Sequence, residues 1–150
     1  MKLSELRKYR RRVRQLGLVE RQLEPYAVVD SVQGSKGAPS FEKTTRYVEG
    51  YPHTERVCQL LSQRRWLKAY IQAVEDYIFS IEDERVCEAL ILYCMDERLY
   101  NKVAMRESLE TRAKKSPVVR VSWSDVAEEM GEPSGAAVKM AVYRFMNIAQ

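Results

Sequence analysis

The sequence predicts a mainly all-α fold. The expected architecture is a helical bundle with one long heptad-patterned helix, a short β-hairpin or ordered loop near 26–50, and a C-terminal helix-turn-helix. Three observations carry this reading. Apolar residues recur at seven-residue spacing between residues 54 and 81. Glycine and proline are scarce, 6 and 5 in 150 residues, too few for a chain of many β-turns. Ser or Thr followed three residues later by an acid, or by a helical run, marks several helix starts. With 45% hydrophobic and 31% charged residues the chain has enough apolar material for a core and is not of disordered composition. By segment, 1–53 reads as a basic helix plus an extended stretch, 54–98 as a long helix and its successor, and 99–150 as a basic insertion followed by the helix-turn-helix.

Residues 2–24 read as one helix. Leu6, Val13, Leu16 and Leu23 fall near heptad spacing, Tyr9 completes the stripe, and the remaining surface is mostly arginine. Gly17 weakens the helix by about 1 kcal/mol relative to alanine, and Pro25 ends it. The arginines Arg7, Arg10, Arg11 and Arg14 lie within about two turns and are expected to reach phosphates without selecting sequence. Residues 26–32 and 44–48 are β-prone, and 33–40 carry turn chemistry between them. Gly34-Ser-Lys-Gly37 is not a phosphate loop, because it lacks the Gly-Lys-Ser/Thr ending and a following helix.

Thr54 is the expected N-cap of a long helix free of proline and glycine. Leu60, Leu67, Val74 and Ile81 repeat every seven residues. Val57, Ile71 and Ile78 form the interleaved set, which Arg64 interrupts. Such a coiled-coil seam pairs either with the N-terminal helix folded back or with a second chain, which would make a homo-oligomer. Ser80-Ile-Glu-Asp83 resembles a capping box opening a helix to about Arg98, with Val86, Ala89, Leu90, Tyr93 and Cys94 on it. Asn101–Lys115 reads as a weakly amphipathic helix broken by Ser116-Pro117.

The C-terminal segment is the most specific. Ser122 with Asp125 caps one helix, Ala127 is small enough for a close crossing, and Gly131 can take the positive φ that ends that helix. Ser134 caps a second helix whose Val138, Val142 and Phe145 form the inner face. Ala136, Lys139, Met140, Tyr143 and Asn147 then point outward, with Arg144 on the flank. That pattern matches a DNA-reading helix-turn-helix. The expected DNA-binding residues are Ser134, Ala136, Lys139, Met140, Tyr143, Arg144 and Asn147, with Lys114, Lys115 and Arg120 of the basic block on phosphates.

Charge is uneven. Residues 1–24 hold eight Lys/Arg against three Glu, and 101–120 hold six against two. Residues 80–100 are net acidic, and the last thirty residues hold two basic side chains against four acids. Basic blocks of this kind suit a polyanion partner.

The strings Ser80-Ile-Glu-Asp-Glu-Arg-Val-Cys-Glu-Ala-Leu-Ile-Leu-Tyr93, Val121-Ser-Trp-Ser-Asp-Val-Ala-Glu-Glu-Met-Gly131, Ala137-Val-Lys139 and Val142-Tyr-Arg-Phe145 resemble phage and prophage transcriptional regulators of the RinA and ArpU type. Asp30-Ser-Val-Gln-Gly-Ser35 and Tyr47-Val-Glu-Gly50 are similar to their upstream part. The resemblance implies a small helical regulator with a module like region four of bacterial sigma factors, acting at late phage promoters in a bacterial host. The chain departs from that pattern by roughly twenty additional residues at about 99–120. It also has one more residue between Gly131 and Val138.

The expected function is therefore sequence-specific binding of double-stranded DNA in transcription regulation, with bacterial RNA polymerase as a further partner. Two other readings use the same helices. One is an adaptor or oligomerisation protein that binds RNA polymerase or another protein. The other is a phage DNA-packaging recognition subunit. Enzymatic activity is not expected. His53 is the only histidine and sits in a turn, and Glu82, Asp83, Glu84 and Glu88 are explained by the dipole of the helix they open. No metal-ligand spacing occurs, and no cofactor is implied. The longest apolar run, Ala89–Met95, is far below the roughly 20 residues of a membrane span. The N-terminus lacks the apolar stretch of a signal peptide. Cys58, Cys87 and Cys94 read as reduced thiols of a cytoplasmic protein.

Overall fold

The computed structural model describes residues 1–35, 43–110 and 119–148. Their order is α1 (Leu3–Leu6), α2 (Tyr9–Leu23), a 3-10 turn at Glu24–Tyr26, β1 (Val28–Ser35), β2 (Lys43–Gly50), α3 (Glu55–Phe79), α4 (Glu84–Leu90), a π turn (Ile91–Met95), α5 (Glu97–Glu110), α6 (Trp123–Met130) and α7 (Gly135–Phe145). The fold is a mainly helical bundle. Its strands pair antiparallel as a hairpin, in register from Val28 opposite Gly50 to Ser35 opposite Lys43. Most of the turn expected at 33–40 lies outside the described residues.

The chain divides into two compact units, Arg14–Ala69 and Met1–Val13 with Tyr70–Gln150. The cuts fall inside α2 and α3. In the first unit Val19 and Leu23 of α2 pack with Val57, Leu60 and Leu67 of α3, and Leu16, Tyr51 and Leu61 close the edges. The heptad seam here is thus satisfied within one chain. Thr54 accepts from the Val57 amide at the start of α3, as its sequence position suggests.

In the second unit Leu3 and Leu6 join Val74 and Ile78 of α3, Val86, Ala89 and Leu90 of α4, Leu99 and Val103 of α5, and Val126, Ala127, Val138 and Val142 of the C-terminal helices. Ile71 is half-buried rather than part of the core, and Ile81 lies beyond the end of α3.

Several helix boundaries differ from expectation. Residues 2–24 form two helices. The Glu5 carbonyl accepts from the Lys8 amide and from the Tyr70 hydroxyl, and the two helices part at Arg7 and Lys8. The N-cap of α4 is Asp83, which accepts from the Val86 amide, whereas Ser80 donates to the Tyr77 carbonyl at the end of α3. The helix through Tyr93 does not reach Arg98. It widens into the π turn and stops at Asp96, whose carboxylate accepts from the Leu99 amide and opens α5. The helix expected at 101–115 is α5. It starts at Glu97, and its expected end, with Ser116-Pro117, lies outside the described residues.

Candidate nucleic-acid interface

The candidate site is the α6–turn–α7 pair with α4 packed on both helices. Ser122 and Asp125 form a reciprocal capping box. The Asp125 amide donates to Ser122 Oγ at 3.2 Å, and Asp125 Oδ2 accepts from the Ser122 amide at 2.9 Å. Gly131, at φ 72°, ends α6. The Glu132 amide donates back to the Ala127 carbonyl at 2.8 Å and the Gly131 amide to Glu128 at 3.2 Å, closing a Schellman motif. Arg85 of α4 holds the turn through two hydrogen bonds of 2.6 Å to the Glu132 carboxylate. Ser134 caps α7 by accepting from the Ala137 amide.

Ala127 is buried as expected, and the two helices also approach closely at Gly135. A Cβ there would stand 2.7 Å from the backbone of Trp123 and Ser124. Sequence reading passed over this glycine. Its position directly after a serine cap is the signal that marks it as a contact point rather than a turn residue.

Val138 and Val142 are fully buried, whereas Phe145 is 42% exposed and does not belong to the inner face. Half-buried Met146 packs on the core instead. Met146 is the residue at which α7 ends, and it packs on the core where the spacing had placed Phe145. Of the expected contact residues, Ala136, Lys139 and Arg144 are exposed, and Ser134, Met140 and Tyr143 are half-buried. Asn147 is exposed but does not lie on the helix. At φ 51° it is the left-handed residue that ends α7, with the Ile148 amide donating to Tyr143 at 2.9 Å. Arg120 is exposed just before the cap. Lys114 and Lys115 lie outside the described residues.

Two acids of α6 are answered by basic residues of α5. Arg106 pairs with Asp125 at 2.9 Å, and Lys102 lies 3.7 Å from Glu129. These cations of the 101–120 block therefore face protein carboxylates. Burial by itself raises the Asp125 carboxyl pKa. Hydrogen bonds from Ser122 and the Arg106 guanidinium outweigh that and hold it below the usual carboxylate range.

The N-terminal arginines divide in role. Arg10 turns inward and donates to the carbonyls of Leu92 (2.9 Å), Tyr93 (2.8 Å) and Asp96 (2.9 Å). These carbonyls lie in and just after the π turn, so Arg10 is a helix-end cap and not a phosphate ligand. Arg7 is exposed and stands 5.4 Å over the Tyr93 ring. Tyr93 stacks on Trp123 at 4.0 Å, Trp123 meets Tyr143 edge-on at 6.5 Å, and Lys139 Nζ lies 5.1 Å over the Tyr143 ring. Five side chains from four segments thus form one ladder with a cation at each end.

Cys94 is buried, and desolvation pushes its thiol up to about 12, so it stays protonated as a core residue. Among the described residues no cluster of His, Cys, Asp and Glu could hold a metal ion. No helix among them is long and apolar enough to cross a membrane. No family model, no curated protein and no solved structure matches this chain.

Proposed function

We propose that the chain is a sequence-specific DNA-binding regulator of transcription, phage- or prophage-encoded, with α7 as the helix that enters the major groove. The observation that carries this reading is the α6–turn–α7 pair. Two short helices, locked at Gly131 and Gly135, leave Ala136, Lys139 and Arg144 exposed on α7. Small residues at the start of α7 allow close approach to a base edge, and Lys139 carries donors for guanine or phosphate. Pairing of Lys102 and Arg106 with α6 removes part of the negative charge that would repel a phosphate backbone.

A gel shift against duplex fragments from the genomic neighbourhood of the coding sequence, at two salt concentrations, tests the reading. A shift that weakens steeply with salt and favours one fragment supports it. Absence of a shift at the lower salt overturns it.

A second reading is favoured by Met105 and Leu109, which lie one helical turn apart on α5 and are 69% and 71% exposed. In that reading the helices are an adaptor for another protein, such as bacterial RNA polymerase. A packaging subunit differs from both in assembling as a ring of many copies, which sedimentation distinguishes from a regulator.

A further inference from the structure

The cation at the far end of the aromatic ladder is Arg7, which belongs to the N-terminal helices and not to the helix-turn-helix. We propose that Arg7 is a phosphate ligand of the same duplex that α7 reads, held in register with Lys139 by the rings of Tyr93, Trp123 and Tyr143. The proposal rests on the DNA-binding reading above and extends its surface to the start of the chain.

The ladder shows how an exposed arginine on one element is placed relative to a lysine on another. Tyr93 lies in the π turn, where the backbone gains a residue and the side chain is re-aimed relative to a regular α-helix. Arg10 pins that turn by occupying its carbonyls. Tyr93 then lies nearly parallel to Trp123, at an interplanar angle of 5°, on the first residue of α6. Trp123 in turn meets Tyr143 at 82°, on α7. Each link is a packing contact between half-buried rings, so the two cations are braced rather than tethered.

The same geometry decides which nucleic acid fits. Single-strand binders stack bases on open aromatic faces. Here Tyr93 contacts both Arg7 and Trp123, and Lys139 stands over Tyr143. The three rings are half-buried and already in contact with one another, whereas Arg7 and Lys139 are exposed, so the cations are the ligand-facing groups. A guanidinium has five donors, more than one phenol can take up, so Arg7 keeps donors for a phosphate. Lys8 and Arg11 are exposed beside it in sequence and add positive charge at that end.

The test uses the full chain, duplex fragments of its genomic neighbourhood, and the separated strands of the same fragments. Arg7→Gln is expected to reduce the slope of log affinity against log salt by about 0.9 on every duplex, preferred or not. Arg7→Lys is expected to restore it. Tyr93→Leu is expected to remove the effect of Arg7→Gln when the two are combined, because the brace is gone. Tyr93→Phe, which keeps the ring, is expected to leave the slope as in the parent. A parent protein that shifts duplexes while Arg7→Gln leaves the slope unchanged overturns this proposal alone. Tighter binding of the separated strands than of the duplex also overturns it. A parent protein that shifts no duplex at low salt overturns the DNA-binding reading, and this proposal with it.

Discussion

Gly135 sits against the backbone of Ser124 so closely that a methyl group at its Cα would lie 2.7 Å from the Ser124 amide nitrogen. The obstacle is main chain at the start of α6, which cannot rotate away as a side chain can. Gly135→Ala must therefore push α6 and α7 apart or distort the cap at Ser134. Overpacking of this kind costs about 1–3 kcal/mol, read as a lower urea midpoint, together with loss of any DNA shift. Gly17, inside α2, is the contrasting case: a Cβ there would meet nothing within 4 Å outside its own helix backbone. Gly17→Ala is expected to raise stability by roughly 0.5–1 kcal/mol.

Leu67 is buried in the small core between α2 and α3, where few neighbours can collapse into a void. Leu67→Ala is expected to cost about 2–5 kcal/mol in chemical denaturation. Ile71→Ala, on the same helix but half-buried, is expected to cost clearly less.

Asp125 gives the stability a pH dependence of known sign. Its folded pKa is depressed, so its contribution is present above the unfolded carboxyl value of about 4 and is lost as pH falls through the lower folded value. The stability gap between the parent and Asp125→Asn is therefore expected to be constant near neutrality and to shrink only below about pH 4. A gap that opens or closes between pH 5 and 8 would assign the effect to another group. Ser122→Ala, which removes the partner hydroxyl, is expected to cost about 0.5–2 kcal/mol at neutral pH.

Arg10 is expected to behave as a structural residue. Arg10→Ala leaves the carbonyls of Leu92, Tyr93 and Asp96 without their charged donor and is expected to destabilise by about 1.5–3 kcal/mol. Arg11→Glu is expected to weaken binding to all DNA sequences alike while the melting temperature changes little, since Arg11 is exposed.

Lys139 and Arg144 separate base reading from backbone grip. Lys139→Ala is expected to cost about 1–3 kcal/mol at the preferred site and less on random DNA. Arg144→Ala is expected to weaken both about equally. Negligible effects of both on a protein that still shifts DNA would move the contact surface away from α7.

Local chemistry in the chain was sufficient to place the long helix and the two C-terminal helices. Thr54, Ser122, Ser134 and Gly131 act on backbone within four residues of themselves, so their effect is readable without knowing what packs nearby. The burial of Leu60, Leu67, Val74 and Ile78 follows from the seven-residue period in the same way. Tertiary structure alone decided where a long-range partner outbids the local pattern. Tyr70 bonds the Glu5 carbonyl just before the first helix ends, and Arg10 is drawn from solvent to the π turn more than eighty residues away. Met146, not Phe145, packs on the core beside Val142, and Asn147 leaves the helix to end it. The ladder from Arg7 to Lys139 is of the same kind. Each of its side chains looks ordinary in its own segment, and only the packing of α4, α6 and α7 brings the rings within stacking distance.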